Sequence, residues 1–230
     1  MWSPSSGKSS LVLLINRLLE PTAGVISLGP HSLSAIPRQL VRERVITLPQ
    51  APFFAEGATI RDALAHGNVS ATEEVCELAL QAVGLSDLDV SRGGLDAELD
   101  VSSMSHGQRQ LLSLARAVVR VRSRPPASGP GGLLLLDEFN SAVDADTDRL
   151  MRDIVRREFA AYTVICVAHR LDGVVMEYDR VVVMDRGRIA EAGPPKELMK
   201  DPAGRFRELA SAPPGEWGDA GQDQMAGEGL

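Results

Sequence analysis

The run Leu133, Leu134, Leu135 and Leu136 constrains this chain most; Gly131 and Gly132 open it, and Asp137 and Glu138 close it. Four leucines in succession follow neither a helical nor an alternating period. They predict a strand buried on both faces, hence a parallel sheet with helices on each side, and an α/β fold. Two carboxylates emerge together where that strand must end, the edge at which open α/β sheets bind ligands. One acid at that edge can hold Mg²⁺ beside a phosphate, and a second can act on a water. A buried strand running into a solvated loop explains the same residues, so the other segments have to decide.

A chain of 230 residues fits one large α/β domain or two small ones, and 44% hydrophobic residues suffice to fill a core. The formal charge of −7 argues against a broad nucleic-acid footprint. Cys76 and Cys166 stand apart, with neither metal-ligand spacing nor a disulfide framework, which suits a reducing compartment. No apolar run approaches the roughly 18 residues needed to span a bilayer, so membrane contact is expected only through partners.

Ser6, Gly7, Lys8, Ser9 and Ser10 precede Leu11, Leu14, Ile15, Leu18 and Leu19, which share one face of a helix that Pro21 should stop. Short strands are expected over 25–28 and 45–48, and a helix from Pro37 through Arg44. Ser70 and Glu73 form a capping box for a helix to about Val83, closed by Gly84. Residues 85–101 read as a polar loop, and a helix follows from about Gly107 to Val121. Residues 122–132 are rich in Arg, Pro, Ser and Gly and read as a flexible insertion. A helix over 146–159 and a buried strand over 163–168, ending at His169, come next. A hairpin turns at Asp185, Arg186 and Gly187; a short helix over 202–210 and a disordered tail over 211–230 close the chain.

Gly7, Lys8 and Ser9 form the second half of a phosphate-binding loop. Amides at a helix start favour phosphate oxygens; Lys8 would reach the β- and γ-phosphates, and the Ser9 hydroxyl would ligate Mg²⁺. The full pattern wants glycine five residues before Gly7, where Trp2 stands. A plain helix cap explains the same residues. Ser105, ahead of His106, Gly107 and Gln108, is either a second anion site or an ordinary N-cap. Gln50 after a strand, and His169 at the end of one, are each compatible with a structural role.

Taken in order, the motifs are Gly-Lys-Ser, Gln50 after a strand, Ser-His-Gly-Gln-Arg-Gln-Leu from Ser105, Leu-Leu-Leu-Leu-Asp-Glu from Leu133, Ser-Ala-Val-Asp ending at Asp144, and Ala-His-Arg around His169. This series resembles the nucleotide-binding domain of ATP-binding cassette (ABC) transporters over roughly residues 5–209. The wording around Gln50, and from Gly107 to Ala117, is most similar to the second such domain of C-subfamily, multidrug-resistance-associated exporters.

The resemblance implies a P-loop NTPase (ABC ATPase) fold with a mostly parallel sheet and a helical signature subdomain. Residues 1–210 would form the ATP-binding domain, with the helical part at about 51–122. Ser6, Gly7, Lys8, Ser9 and Ser10 would hold ATP phosphates. Gln50 would sense Mg²⁺ and the attacking water, and Ser9, Gln50 and Asp137 would face the metal. Ser105, Gly107 and Gln108 take signature positions and Asp144 the D-loop position, all four toward nucleotide. Glu138 would be the general base and His169 the switch histidine on the γ-phosphate. The implied cofactors are ATP and Mg²⁺. The implied partners are a second nucleotide-binding domain, which sandwiches ATP, and transmembrane domains, with the chain at the cytoplasmic face of a membrane and no nucleic-acid partner.

The sequence departs from the family at His106, where glycine is usual, and at Met104, where leucine is usual. The family also places an adenine-stacking aromatic and a strand upstream of the phosphate loop. With Met1 so close to the loop, the first strands are expected to be missing, as in an N-terminally truncated piece of a larger exporter. A non-hydrolysing nucleotide-binding or interaction fragment is the alternative. A chromosome-maintenance or DNA-repair ATPase head would need a long coiled coil before the signature, and no sustained heptads lie there.

Overall fold

The computed structural model describes residues 6–66, 68, 70–87, 93–125, 129, 131–139, 143–168 and 173–211. Backbone contacts divide the chain into two compact units, one of residues 27–167 and the other of residues 1–26 with 168–230.

The larger unit is built on a three-stranded parallel sheet in the order β3–β4–β5: β3 (Val45–Leu48), β4 (Leu133–Asp137) and β5 (Thr163–Val167). Parallel neighbours need crossover connections. The β3-to-β4 crossover carries helices α3 (Ile60–Ala65), α4 (Glu73–Ala82) and α5 (His106–Arg122), and the β4-to-β5 crossover carries α6 (Ala145–Glu158). The leucine run behaves as its pattern predicts. Leu134 and Leu136 join the core with Ile46, Leu48, Leu112 and Leu114, while Leu133 and Leu135, pointing to the opposite face, are buried as well. Each such leucine contributes about 1.5–3 kcal/mol.

The two glycines that open β4 are required by close packing. A Cβ on Gly132 would lie 2.5 Å from the Arg44 carbonyl oxygen, and one on Gly131 would lie 2.7 Å from that of Ala161. Arg44 ends α2 (Arg38–Arg44), which leads into β3. A two-residue antiparallel pair, β1 (Ser27–Leu28) with β2 (His31–Ser32), precedes it.

The smaller unit holds α1 (Lys8–Ile15), the hairpin β6 (Val181–Asp185) with β7 (Arg188–Gly193), and short helices α7 (Pro195–Leu198) and α8 (Arg205–Ser211). Among the described residues no helix is long and apolar enough to cross a membrane.

Several local expectations are corrected. Helix α1 ends at Ile15, where Asn16 Nδ2 donates to the Val12 carbonyl and Arg17 takes a positive φ of 55°. Leu18 and Leu19 therefore leave the helix and are exposed; Val12 and Ile15 form its buried face. Helix α4 is capped by Thr72, whose hydroxyl accepts from the Val75 amide, and not by Ser70. Residues 85–101 are less polar than expected, with Leu85, Leu95 and Leu99 in the core. Strand β5 is half-exposed rather than buried, and among the described residues it pairs only with β4. The last helix begins at Arg205, where the Glu191 carboxylate accepts from the Arg205 and Phe206 amides. His169, the tail over 212–230 and part of the 122–132 insertion lie outside the described residues.

Candidate functional site

Parallel register brings three site residues to one sheet edge. Leu48 pairs with Leu136, so Gln50 and Glu138 each stand two residues beyond that pair on adjacent chain segments. Asp137, the last residue of β4, pairs with Val167 of β5. The Glu138 amide then donates to the Val167 carbonyl at 3.0 Å, while Glu138 itself has a φ of 49°. A side-chain-bearing residue in this left-handed conformation costs about 1–2 kcal/mol. Such strain gathers where surrounding structure enforces it for function. Both carboxylates are half-buried.

Gln50 is held from behind. The Gln110 side chain, fully buried on α5, donates from Nε2 to the Gln50 carbonyl at 2.6 Å. Sequence reasoning missed Gln110. The available signal was a glutamine four residues before Leu114, on the apolar face of a helix.

The predicted signature residues gather at the start of α5. Ser105 is its N-cap: the Ser105 Oγ accepts from the Gln108 amide at 3.1 Å, and Gln108 Oε1 accepts from the Ser105 amide at 2.9 Å. This reciprocal box satisfies two amides that the helix itself cannot. Gly107 faces the start of α6, where a Cβ would sit 3.5 Å from Thr147 Cγ2. Asp144 caps α6: one carboxylate oxygen accepts from the Asp146 and Thr147 amides and the other from the Thr147 hydroxyl. Those bonds, the Thr147 amide first, hold the Asp144 carboxyl below the ordinary carboxylate range.

In the smaller unit, Gly7 takes the N-cap position of α1 with φ 90°, a conformation glycine adopts without steric cost, and it has no side chain with which to cap the helix. The first amides of a helix have no acceptor within it. Ser6 is buried; its carbonyl accepts from the Gly187 amide at the hairpin turn, and its hydroxyl accepts from Lys8 Nζ at 2.7 Å. Ser9 and Ser10 are exposed. Ser6 through Ser10 thus form one local loop-and-helix start, and Gln50, Asp137 and Glu138 one sheet edge. Ser105, Gly107, Gln108 and Asp144 cluster at two adjoining helix starts. Among the described residues no group of three or more His, Cys, Asp or Glu side chains is arranged to hold a metal. Ser9, Gln50 and Asp137 each carry an oxygen donor, the ligand type Mg²⁺ prefers.

A family model described as ABC transporter matches residues 3–138. The ABC-type transporter braE of Annulohypoxylon truncatum is 44% identical over 216 residues, covering 90% of this chain and 14% of that protein. ABC transporter FGM5 of Gibberella zeae is 42% identical over 212 residues, covering 89% and 14%. ABC multidrug transporter B of Aspergillus fumigatus is 36% identical over 204 residues, covering 89% and 13%. The chain thus spans about one seventh of the length of these relatives. Among solved structures, a bacterial Atm1-family ABC exporter with ATP bound matches with a TM-score of 0.75 at 26% identity, over 90% of this chain and 35% of that chain.

Proposed function

The chain belongs to the ABC transporter family, and on that footing we propose that it is an exporter's ATP-hydrolysing domain, of the type found second in C-subfamily exporters. Residues 1–210 form that domain, with its helical part at about 51–122. It works at the cytoplasmic face of a membrane, paired with a second nucleotide-binding domain and coupled to transmembrane partners.

The amides of Gly7 to Ser10 and the Lys8 ammonium bind the β- and γ-phosphates of ATP. Ser9, Gln50 and Asp137 would hold Mg²⁺, which would supply charge neutralisation on those phosphates. The Glu138 carboxylate takes a proton from the attacking water. The water oxygen bonds to the γ-phosphorus as its bond to the β-phosphate oxygen breaks, leaving ADP and phosphate. His169 steadies the γ-phosphate. Ser105, Gly107, Gln108 and Asp144 serve the nucleotide bound by the opposing domain, and the Ser105 hydroxyl proton is what that motif offers, since its oxygen already accepts from Gln108.

The observation that carries the proposal is Glu138, strained at φ 49° directly after a strand buried on both faces. Its test is phosphate release by the purified chain and by Glu138→Gln at saturating Mg-ATP. General-base catalysis predicts a fall of about 10²- to 10⁴-fold with nucleotide binding retained. Equal rates reject hydrolysis through Glu138 and favour a fragment that binds without hydrolysing.

A further inference from the structure

Helix α5 grips the segment after β3 at two places. Gln110 Nε2 donates to the Gln50 carbonyl at 2.6 Å. Six residues further on, Arg116 Nε donates to the Ala63 carbonyl at 2.6 Å and its NH2 to the Phe53 carbonyl at 3.3 Å, while its guanidinium lies 4.6 Å from the centre of the Phe54 ring. Burial weakens the basicity of that guanidinium, which has only carbonyl oxygens and a ring among these contacts.

Gln110 is an expensive way to fill its site. It is fully buried. A carbonyl only accepts, so the amide must present its NH₂ to Gln50. That orientation leaves Gln110 Oε1 buried with no hydrogen-bond partner among the described residues. An apolar side chain of similar length would fill the same volume without an orphaned acceptor. A buried side chain that satisfies one end only by orphaning the other calls for an explanation beyond packing.

The helix that carries Gln110 also carries Ser105 at its N-cap. Five residues of helix separate them, about 7.5 Å of rigid rod. We propose that Gln110 is a positioning residue that fixes Gln50 to the start of α5, so that the Gln50 side chain and the Ser105 hydroxyl move as one piece. It acts through Gln50 and touches neither nucleotide nor metal; Arg116 secures the following residues of the segment. The proposal rests on reading Gln50 as the group that senses Mg²⁺ and the attacking water.

The test uses the full chain with Gln110→Met, which keeps the volume and deletes both the donor and the orphaned acceptor, and Gln110→Leu as a second apolar replacement. Amide hydrogen exchange over residues 50–54, measured without nucleotide, is expected to quicken in both, while the thermal midpoint stays level or rises. Phosphate release at saturating Mg-ATP is expected to fall by about 10- to 100-fold, the usual size of an effect exerted through a second residue, with KM for ATP held within about twofold. The double variant Gln50→Ala/Gln110→Met is expected to be no slower than Gln50→Ala alone, because the two act as a unit. Unchanged exchange over 50–54 overturns the proposal whatever the enzyme does. So does multiplication of the two losses in the double variant, or a fall in the thermal midpoint of both apolar variants, either of which makes Gln110 a packing residue. Quickened exchange together with wild-type turnover in Gln50→Ala supports the tether, and then the catalytic reading of Gln50 is what fails.

Discussion

Helices α1 and α5 both begin within a short stretch of serine and glycine, Ser6-Gly7 for one and Ser105-His106-Gly107 for the other, and the chain treats their first turns differently. Helix α1 starts from the left-handed Gly7 with no side-chain cap, and its cation, Lys8, folds back onto the Ser6 hydroxyl. Helix α5 starts from Ser105, which with Gln108 closes a reciprocal capping box. One start has a glycine in the capping position; the other spends two of its own amides on side chains. Both helices possess a dipole; what separates them is whether the chain has already capped itself. The start of α5 can still donate the Ser105 hydroxyl proton.

The largest effect that tests this contrast is at Lys8. A charge-assisted hydrogen bond contributes about 1.5–3 kcal/mol, so Lys8→Ala is expected to weaken ATP binding by about 10- to 150-fold. Titration of the purified chain with labelled ATP and Mg²⁺ measures it. Undiminished affinity would place the primary phosphate site somewhere other than the start of α1 and break the comparison.

A smaller effect is expected at Ser105. Losing an N-cap serine costs about 0.5–2 kcal/mol, so Ser105→Ala is expected to lower the unfolding free energy by that much, read as a lower urea midpoint at unchanged slope. Replacing the Gln108 side chain as well should add little, because the box is one reciprocal unit. An unmoved midpoint would show that the box does not hold the helix start, and the contrast with α1 would lose its physical basis.

The same contrast explains what the sequence made legible. Strand β4 could be read because four leucines admit few alternatives, and helices α5 and α6 because their apolar spacing continues for turns on end. Gln50, Asp137 and Glu138 were found through the order of motifs, and strand register then explains why they share an edge. Strand β5 misled: Thr163 to Val167 is as β-branched as a buried strand, yet burial depends on which neighbours lie beside it, and only β4 does among the described residues. Caps misled for a related reason. Ser70 and Thr72 both offer a hydroxyl near the start of α4, and the backbone decides between them; the Ser70 amide instead donates to the Asn68 side chain. Gln110 was illegible because its partner, the Gln50 carbonyl, lies 60 residues away. A buried glutamine explains itself only once that partner is known.

The smallest effect separates charge from shape at the neighbouring start, that of α6. Asp144 accepts three hydrogen bonds from Asp146 and Thr147, shared over both oxygens of its carboxylate, and its carboxyl is held below the ordinary range by the Thr147 amide first and the Thr147 hydroxyl second. A carboxyl depressed in the folded state contributes stability that is present above its unfolded value, about 3.9, and lost as pH falls through the folded one. Asparagine caps a helix nearly as well through its single oxygen, but its NH₂ cannot accept from the Thr147 hydroxyl. Asp144→Asn is thus expected to trail the parent slightly and by a constant margin from neutral pH down to about pH 5, and to close that margin below about pH 4. Thermal midpoints of both proteins across that range measure it. A margin that persists unchanged into strong acid would mean that the cap depends on shape alone, and that α6, like α5, starts from a neutral hydrogen-bond pattern rather than from a charge.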